Sequence, residues 1–382
     1  MKLSRSLKIA AATAAVTLFA AQPAFAGFTI TGSGSTFAAP LISACAPAWQ
    51  TSTGNTVSYS GGGSGTGRKN ADTGINDFNF SDASYTPAKA SVLHIPVVAA
   101  PVAIAYNLNG ASGQLYLSQK TLSDIFAGNV TKWNDPEIVA DNSKSVPKTT
   151  IVFKKDAKGA IVKDKKTGKP VVAGKTTSSI TSSSITLPNQ TINVIYRADS
   201  SGTTQNLVNM LIAQFPSTWT KASSGAFTSV FPGTVPLSFS SASGSAGVSA
   251  LAKSTPYSIT YVESSYATSN GLGKAAIKNA SGSFQLPTAG GTASFLSSAT
   301  ASSTGVLTFN YNTTDPGAYV LGIVSYGLVD SAVNGAYAQA VTSLLKYLLS
   351  DACVNTNPAL EYSSISGSLL TVDKNLIAKL DQ

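Results

Sequence analysis

The chain of 382 residues combines two hydrophobic patterns. Runs of apolar and β-branched residues, such as LHIPVVAAPVAIAYNL at 93–108, have the composition of strands. Other segments place apolar residues at helical spacing, from about Ala38 to Trp49 and most clearly in AYAQAVTSLLKYLL at 336–349. Strands that are separated by helices predict an open α/β sheet, in which ligands bind beyond the carboxyl ends of the strands.

Two segments depart from this pattern. Lys2, Arg5 and Lys8 precede a short apolar stretch that ends in Ala24-Phe25-Ala26, which predicts a secretory signal peptide over residues 1–26. Residues 145–186 are rich in Lys, Ser and Thr and have little apolar periodicity, so an inserted hairpin or loop is expected there. The mature chain is long enough for two lobes.

The formal net charge of +9 is concentrated in those two segments. The signal-like segment carries three positive charges, and residues 154–175 carry eight lysines and two aspartates, which together account for the whole excess. A basic face for nucleic acid is therefore not expected, because the charge belongs to one solvated, lysine-rich loop.

Cys45 and Cys353 are the two cysteines of the chain. In a secreted protein a single disulfide is the default expectation, and it would bring the N-terminal and C-terminal parts into one lobe. Two buried free thiols are the alternative.

Four loops share one design, in which a β-rich strand ends, small polar residues follow and a helix is predicted to start. They are Gly32–Phe37, Gly61–Gly67, Ser81–Ser84 and Arg197–Thr204. Converging helix N-termini bind anions through unpaired N–H groups, and Arg197 adds a fork of donors that suits an oxyanion. Ser and Thr are also ordinary N-caps, so one such loop indicates a cap as readily as a site. Four of them together favour an anion site.

Signals for catalysis are weak. The single histidine, His94, lies in an apolar run, and neither Ser64 nor Ser201 has a G-x-S-x-G context or an evident base. The sequence lacks a Walker A run, dinucleotide-binding glycine spacing and metal-ligand spacing. Glycine-rich loops and one arginine can hold an anion, but the sequence shows no group that obviously attacks it, and no enzymatic activity, cofactor or metal is expected.

Several motifs then resemble a known family. TGSGSTFAAPL, VSYSGGGSGTG, DFNFSDA, TLSDIFAGNVTKWND and YRADSSGTT occur in the order seen in the phosphate-binding proteins of bacterial phosphate ABC importers, and YVESSYA matches a later segment. The resemblance covers most of residues 29–270 outside the lysine-rich segment.

The resemblance implies a set of phosphate-binding residues: Thr36, Phe37 through its backbone amide, Ser64, Asp82, Arg197, Asp199, Ser201, Gly202 and Thr203. In this set Asp82 would accept a hydrogen bond, Arg197 would pair with phosphate and Asp199 would orient Arg197. Residues 201–203 would donate to the ligand.

The implied fold is the two-lobed α/β fold of type II periplasmic binding proteins, with a hinge and an anion cleft. Residues 27–107 plus 316–382 would form lobe I, and 108–315 would form lobe II. The implied partners are inorganic phosphate and the membrane permease of an ABC importer, for a monomer in the periplasm or outside the cell. Two departures from the family pattern, the insertion at 145–186 and Ala38 in place of a common proline, touch no matched ligand position.

Asp82 would set the specificity of such a site. Phosphate carries a proton near neutral pH and sulfate does not, so sulfate would meet the carboxylate acceptor to acceptor. Two unit charges about 3 Å apart at an effective dielectric of about 20 repel by roughly 5–6 kcal/mol.

Two other functions stay open: a secreted phosphatase with Ser64 as nucleophile, and a surface or adhesion protein that uses the lysine-rich segment.

Overall fold

The computed structural model describes residues 27–143, 146–166, 168–180 and 185–380, so the predicted signal peptide lies outside the described residues. The strands are β1 (Thr29–Gly34), β2 (Thr56–Ser60), β3 (Phe78–Ser81), β4 (Val92–Asn107), β5 (Tyr116–Leu117), β6 (Val146–Phe153), β7 (Val172–Ile180), β8 (Asn193–Arg197), β9 (Phe239–Ala242), β10 (Ser258–Glu263), β11 (Gly273–Lys274), β12 (Ala276–Lys278), β13 (Phe284–Gln285), β14 (Thr300–Ala301), β15 (Leu307–Thr308), β16 (Gly322–Asp330) and β17 (Ser363–Ser364). The helices are α1 (Ala39–Thr53), α2 (Ser64–Thr73), α3 (Gln119–Phe126), α4 (Pro136–Asn142), α5 (Gly202–Gln214), α6 (Phe227–Val230), α7 (Gly244–Ser254), α8 (Ser264–Ser269), α9 (Ala289–Leu296), α10 (Ala336–Leu348), α11 (Asp351–Val354) and α12 (Gly367–Ile377), and Pro358–Leu360 forms one 3-10 turn.

The main sheet has the strand order β2-β1-β3-β16-β4-β10-β8-β9, and helices lie between strands along the chain as the sequence predicts. β1 pairs in parallel with β2 and β3, and β8 pairs in parallel with β9 and β10. Each parallel group therefore brings the carboxyl ends of three strands to one edge of the sheet.

The long strand β4 connects the two halves of the sheet. Residues 92–101 pair with β16, and residues 102–107 pair with β10. Its side chains are buried along nearly the whole length, which explains the continuous apolar run in the sequence. The lobe boundaries expected near residues 107 and 315 stay a prediction.

The first half of the sheet is closed by helices from both ends of the chain. Trp49 of α1 is buried and donates from its indole nitrogen to Ser343 Oγ of α10 at 3.2 Å. Cys45 of α1 and Cys353 of α11 form a disulfide with a Cα–Cα distance of 5.4 Å. This confirms the disulfide that the sequence predicted and excludes the two free thiols.

The lysine-rich segment forms an antiparallel hairpin of β6 and β7, in agreement with the hairpin expected from the sequence. It folds back across the molecule. Lys163 Nζ lies 2.8 Å from Asp351 Oδ1 of α11, and Lys175 Nζ lies 3.4 Å from Asp315 Oδ1. The hairpin is therefore attached to the C-terminal part of the chain by exposed ion pairs.

Two further sequence expectations can be compared with the structure. Helices follow three of the four polar loops, but Ser81–Ser84 leads through an irregular turn into β4, so the helix expected after it is wrong. Residues 82–91 form turns and irregular chain, and the next regular element is the central strand β4. In the part of the chain that the structure describes, no helix combines the length and the apolar character needed to cross a membrane.

Candidate anion-binding site

The first wall of the site consists of the loops after β1, β2 and β3. Ser35, Thr36 and Phe37 follow β1, Ser64 begins α2 after β2, and Asp82 follows β3. These loops are side by side because the three strands are parallel neighbours. The sheet order alone therefore collects the small polar residues that the sequence singled out.

Asp82 lies in a cradle of hydroxyl groups and is only 3% exposed. Its Oδ1 accepts from Ser35 Oγ at 2.5 Å and Ser325 Oγ at 2.7 Å, and its Oδ2 accepts from Ser64 Oγ at 3.1 Å. A carboxylate offers about four acceptor positions, so one position remains on Oδ2. Burial raises the pKa of Asp82 to about 6, although hydrogen bonds from Ser35 and Ser325 oppose the rise.

The second wall begins with a pair formed by Arg197 and Asp199. Arg197 Nε donates to Asp199 Oδ1 at 2.8 Å and Nη2 donates to Oδ2 at 2.5 Å, while Nη1 reaches Ser245 Oγ at 3.3 Å. Burial opposes ionisation of Asp199, but the hydrogen bonds and charge of Arg197 outweigh it and lower its pKa. Asp199 thus holds a buried guanidinium, 3% exposed, in one orientation.

The N-terminus of α5 completes this wall. Ser201 Oγ accepts from the amide of Thr204 at 3.2 Å and so caps the helix that begins at Gly202, as the sequence predicts. The amides of Gly202 and Thr203 lie in the first turn, where an α-helix provides no internal acceptor. With the partial positive charge of the helix end, they can donate to an anion.

The two walls are in direct contact. Asn206 Nδ2 donates to the carbonyl of Asp82 at 2.6 Å, and Thr36 Oγ1 lies 2.9 Å from Ser245 Oγ. Gly202 has no room for a side chain, since a Cβ there would lie 2.5 Å from Ser64 Oγ and 2.8 Å from Asp82 Cβ. The arrangement is that of a closed cleft between the two halves of the sheet.

The structure places the sequence-predicted residues around this cleft. The Phe37 amide donates to Ser35 Oγ at 3.0 Å, and Thr203 Oγ1 donates to Glu263 Oε1 at 3.1 Å. The residues placed in the cleft, whose roles as ligands stay a prediction, are Thr36, Phe37, Ser64, Asp82, Arg197, Asp199, Ser201, Gly202 and Thr203.

Four residues of the site were missed from the sequence, namely Ser35, Ser245, Glu263 and Ser325. Ser35 lies inside a recognised motif, and Ser245 lies in SGSAGVSALA, which resembles a loop entering a helix. Glu263 ends β10 within YVESSYA, so its place at a strand end was an available signal. Ser325 lies in the middle of β16 and gives no local signal.

The sequence offered Ser64 and His94 as the residues to examine for catalysis. Ser64 Oγ accepts from the Asp82 amide at 3.0 Å and donates to the Asp82 carboxylate, so both functions of the hydroxyl are engaged. His94 lies elsewhere, between the rings of Tyr85 and Tyr326. Among the described residues, no group of three or more His, Cys, Asp and Glu side chains is arranged to hold a metal ion.

Comparison with known proteins gives curated relatives that are named phosphate-binding proteins. The chain is 31% identical over 239 residues to the phosphate-binding protein PstS 3 of Mycobacterium tuberculosis, a match that covers 60% of this chain and 51% of the relative. It is 31% identical over 265 residues to the phosphate-binding protein PstS of Haemophilus influenzae, covering 68% and 65%. The chain thus spans about half the length of the mycobacterial relative.

A solved structure shares the fold. The phosphate binding protein from Stenotrophomonas maltophilia superposes with a TM-score of 0.57 at 16% identity, covering 91% of this chain and 94% of that one. The model of the PBP superfamily domain matches residues 20–352. The match extends over most of the chain, and both halves of the cleft lie within it. The chain therefore belongs to the PBP superfamily and has its two-lobed α/β fold.

Proposed function

We propose that this protein is an extracytoplasmic binding protein for inorganic phosphate that delivers its ligand to the membrane permease of an ABC importer. The observation that carries the proposal is the composition of the cleft. It combines one oriented guanidinium from Arg197, the first-turn amides of α5 and the buried carboxylate of Asp82, on which one acceptor position is left. Donors alone would suit any oxyanion, but the acceptor suits one that carries a proton.

The relatives support the same ligand, since both curated proteins are named phosphate-binding proteins. The ligand roles of the individual residues are part of the proposal. A closed cleft would bury the dehydrated anion and present a fixed surface to the permease. The protein is proposed to act as a monomer, in the periplasm or released from the cell, without nucleic acid.

The proposal is tested by titration calorimetry with phosphate and with sulfate as a competitor. Phosphate should bind, and sulfate should bind far more weakly because it offers no proton to Asp82. Asp82→Asn should lose about 10- to 100-fold of this discrimination, since a hydrogen bond to a charged group contributes about 1.5–3 kcal/mol and the new amide can donate to sulfate. Asp351→Asn, which removes the same charge from the exposed ion pair with Lys163, serves as the matched control.

Two results would refute the proposal. One is sulfate binding as tight as phosphate binding in the wild type, and the other is unchanged discrimination in Asp82→Asn. The phosphatase alternative makes its own prediction, turnover of a chromogenic phosphate ester that Ser64→Ala abolishes. Because both functions of the Ser64 hydroxyl are engaged by Asp82, we expect no turnover.

A further inference from the structure

The tip of the lysine-rich hairpin, residues 154–171, has no part in the proposed phosphate site. Beyond β6 and β7 it continues as two tight turns. Asp156 Oδ1 accepts from two backbone amides of the first turn at 2.9 and 3.0 Å, and Asp164 Oδ1 accepts from the amide of Lys166 in the second turn at 3.0 Å. Aspartates commonly stabilise turns in this way, so both negative charges of the tip have a structural role.

The lysines of this segment extend into solvent. Lys163 forms an ion pair with Asp351, and Lys175, in β7 next to the tip, forms one with Asp315. Five further lysine side chains are exposed and form no ion pair with a described residue, namely Lys154, Lys155, Lys158, Lys165 and Lys166. Outside residues 154–175 and the signal-like segment, the formal charges of the chain sum to zero. The positive charge of the protein is therefore concentrated at one end of the molecule.

Apolar side chains are exposed beside these lysines. Val152 is 43% exposed and Ile161 is 45% exposed. Ile151 and Phe153 line a cavity against the body of the protein, so strand alternation directs Val152 between them to the outside. Ile161 lies opposite Lys155, and the side chains of opposite residues in an antiparallel pair share one face. Exposed positive charge and exposed apolar surface thus occur together on the hairpin.

A groove next to the tip has the same two properties. It has a volume of about 400 Å³ and lies where the tip meets α10, α11 and α12. Leu349 and Leu370 supply half-buried apolar surface to it. Three lysines and one carboxylate also line the groove, namely Lys163, Lys346, Lys374 and Asp351. The groove therefore extends the positive and apolar surface of the tip onto the body of the protein.

This combination distinguishes between two kinds of anionic partner. A soluble polyanion would be bound by the lysines and would gain nothing from exposed valine and isoleucine side chains. The surface of an anionic bilayer attracts lysines, and its boundary between head groups and acyl chains accommodates apolar side chains. Lysine side chains suit this boundary because their methylene groups cover apolar surface while the ammonium group stays in water. An anionic bilayer is the partner that uses both properties.

We propose that the hairpin tip, Val152 and the adjacent groove form a docking surface for a membrane that contains anionic phospholipids. The lysines approach the lipid head groups, and Val152 and Ile161 enter the boundary below them. Because the net charge lies at this end of the molecule, the field of the membrane also orients the protein with the hairpin towards the lipid. Such docking is reversible surface binding and is independent of the anion cleft.

Co-sedimentation with lipid vesicles tests the docking surface. The protein recovered after secretion is mixed with vesicles of phosphatidylglycerol and phosphatidylcholine in about equal parts, and with vesicles of phosphatidylcholine alone. It should bind the mixed vesicles and not the neutral ones. Raising the salt concentration from about 0.05 M to about 0.5 M should weaken the binding at least about tenfold, since exposed charges are then screened. Equal binding to both kinds of vesicle would overturn the inference.

The contribution of the tip is measured with two triple variants that remove the same charge. Lys158→Gln, Lys165→Gln and Lys166→Gln together remove three lysines of the tip and keep the backbone amides of the turns. About fivefold is expected for each lysine near an anionic surface, so the vesicle affinity should fall at least about 50-fold. Lys69→Gln, Lys221→Gln and Lys253→Gln together remove three exposed lysines elsewhere and should lower it less than about fivefold. An equal loss in both variants would overturn the inference.

The apolar contribution separates a membrane from a soluble polyanion. Val152→Ser with Ile161→Ser keeps every charge and should weaken vesicle binding at least about fivefold. The inference is overturned if this variant binds the mixed vesicles like the wild type, or if the wild type binds long-chain polyphosphate and not the vesicles. All variants should keep the phosphate Kd of the wild type in calorimetry. A failure of docking therefore leaves the proposed function standing, and a failure of phosphate binding leaves docking standing.

Discussion

A single methyl group added at Gly202 should weaken phosphate binding without lowering the stability of the unliganded protein. In the closed cleft, a Cβ at this residue would lie 2.5 Å from Ser64 Oγ, 2.8 Å from Asp82 Cβ and 3.0 Å from the Ala83 amide. These atoms belong to the opposite wall, so the overlap exists only while the walls are in contact. Forcing a methyl group into such a contact typically costs about 1–3 kcal/mol. Since 1.4 kcal/mol is a factor of ten in affinity, Gly202→Ala should weaken phosphate binding by about 5- to 150-fold.

The backbone amide at this position remains available to the ligand in Gly202→Ala, so the loss would come from the steric contact and not from a missing donor. Titration calorimetry gives the Kd, and a thermal melt without phosphate checks that the unliganded protein keeps its stability. Gly233→Ala is the matched control, because a Cβ at Gly233 would have no atom within 4 Å. The reasoning is refuted if Gly202→Ala binds phosphate with the Kd of the wild type. It is also refuted if the thermal melt without phosphate shows that Gly202→Ala destabilises the unliganded protein.

Three further predictions concern other parts of the structure. Replacing Cys45 and Cys353 by Ala should lower the free energy of unfolding by about 3–5 kcal/mol because the disulfide closes a very long loop. Urea unfolding with and without reductant measures this difference, and an unchanged midpoint would contradict the prediction. Arg197→Lys should weaken phosphate binding about 10- to 100-fold in calorimetry, because one ammonium group cannot bind both oxygens of Asp199 and also face the ligand. A Kd within twofold of the wild type would contradict this role of the paired geometry. Asp373 is fully buried and burial raises its pKa to about 9, so its contribution to stability is complete below about pH 4 and is lost as the pH rises through 9. Relative to Asp373→Asn, the wild type should lose up to about 1.4 kcal/mol of unfolding free energy per pH unit between those limits, and a constant difference between urea unfolding at about pH 5 and pH 8 would disprove this.

Much of the site was accessible from the sequence because its parts are local. Ser201 caps α5 through an amide three residues away, and Arg197 and Asp199 form their pair across two residues. Such contacts depend on neighbouring residues and on the end of one strand, so the motif YRADSSGTT already contains them. The disulfide was also expected from two cysteines in a secreted chain. The helix expected after Ser81–Ser84 was wrong, since composition alone does not distinguish a polar turn before a helix from one before a strand.

Several hydrogen-bond partners in the cleft come from far apart in the chain. Ser325 reaches Asp82 across 243 residues, and Glu263 reaches Thr203 across 60. The sequence by itself determined which loops are polar and that helices follow three of the four, and it predicted that Arg197 faces an anion. Only the tertiary structure decided that three serine hydroxyls surround the Asp82 carboxylate and leave one acceptor position on it. The physical reason is the order of strands in the sheet, β2-β1-β3-β16-β4-β10-β8-β9, because it makes neighbours of strand ends that are remote along the chain.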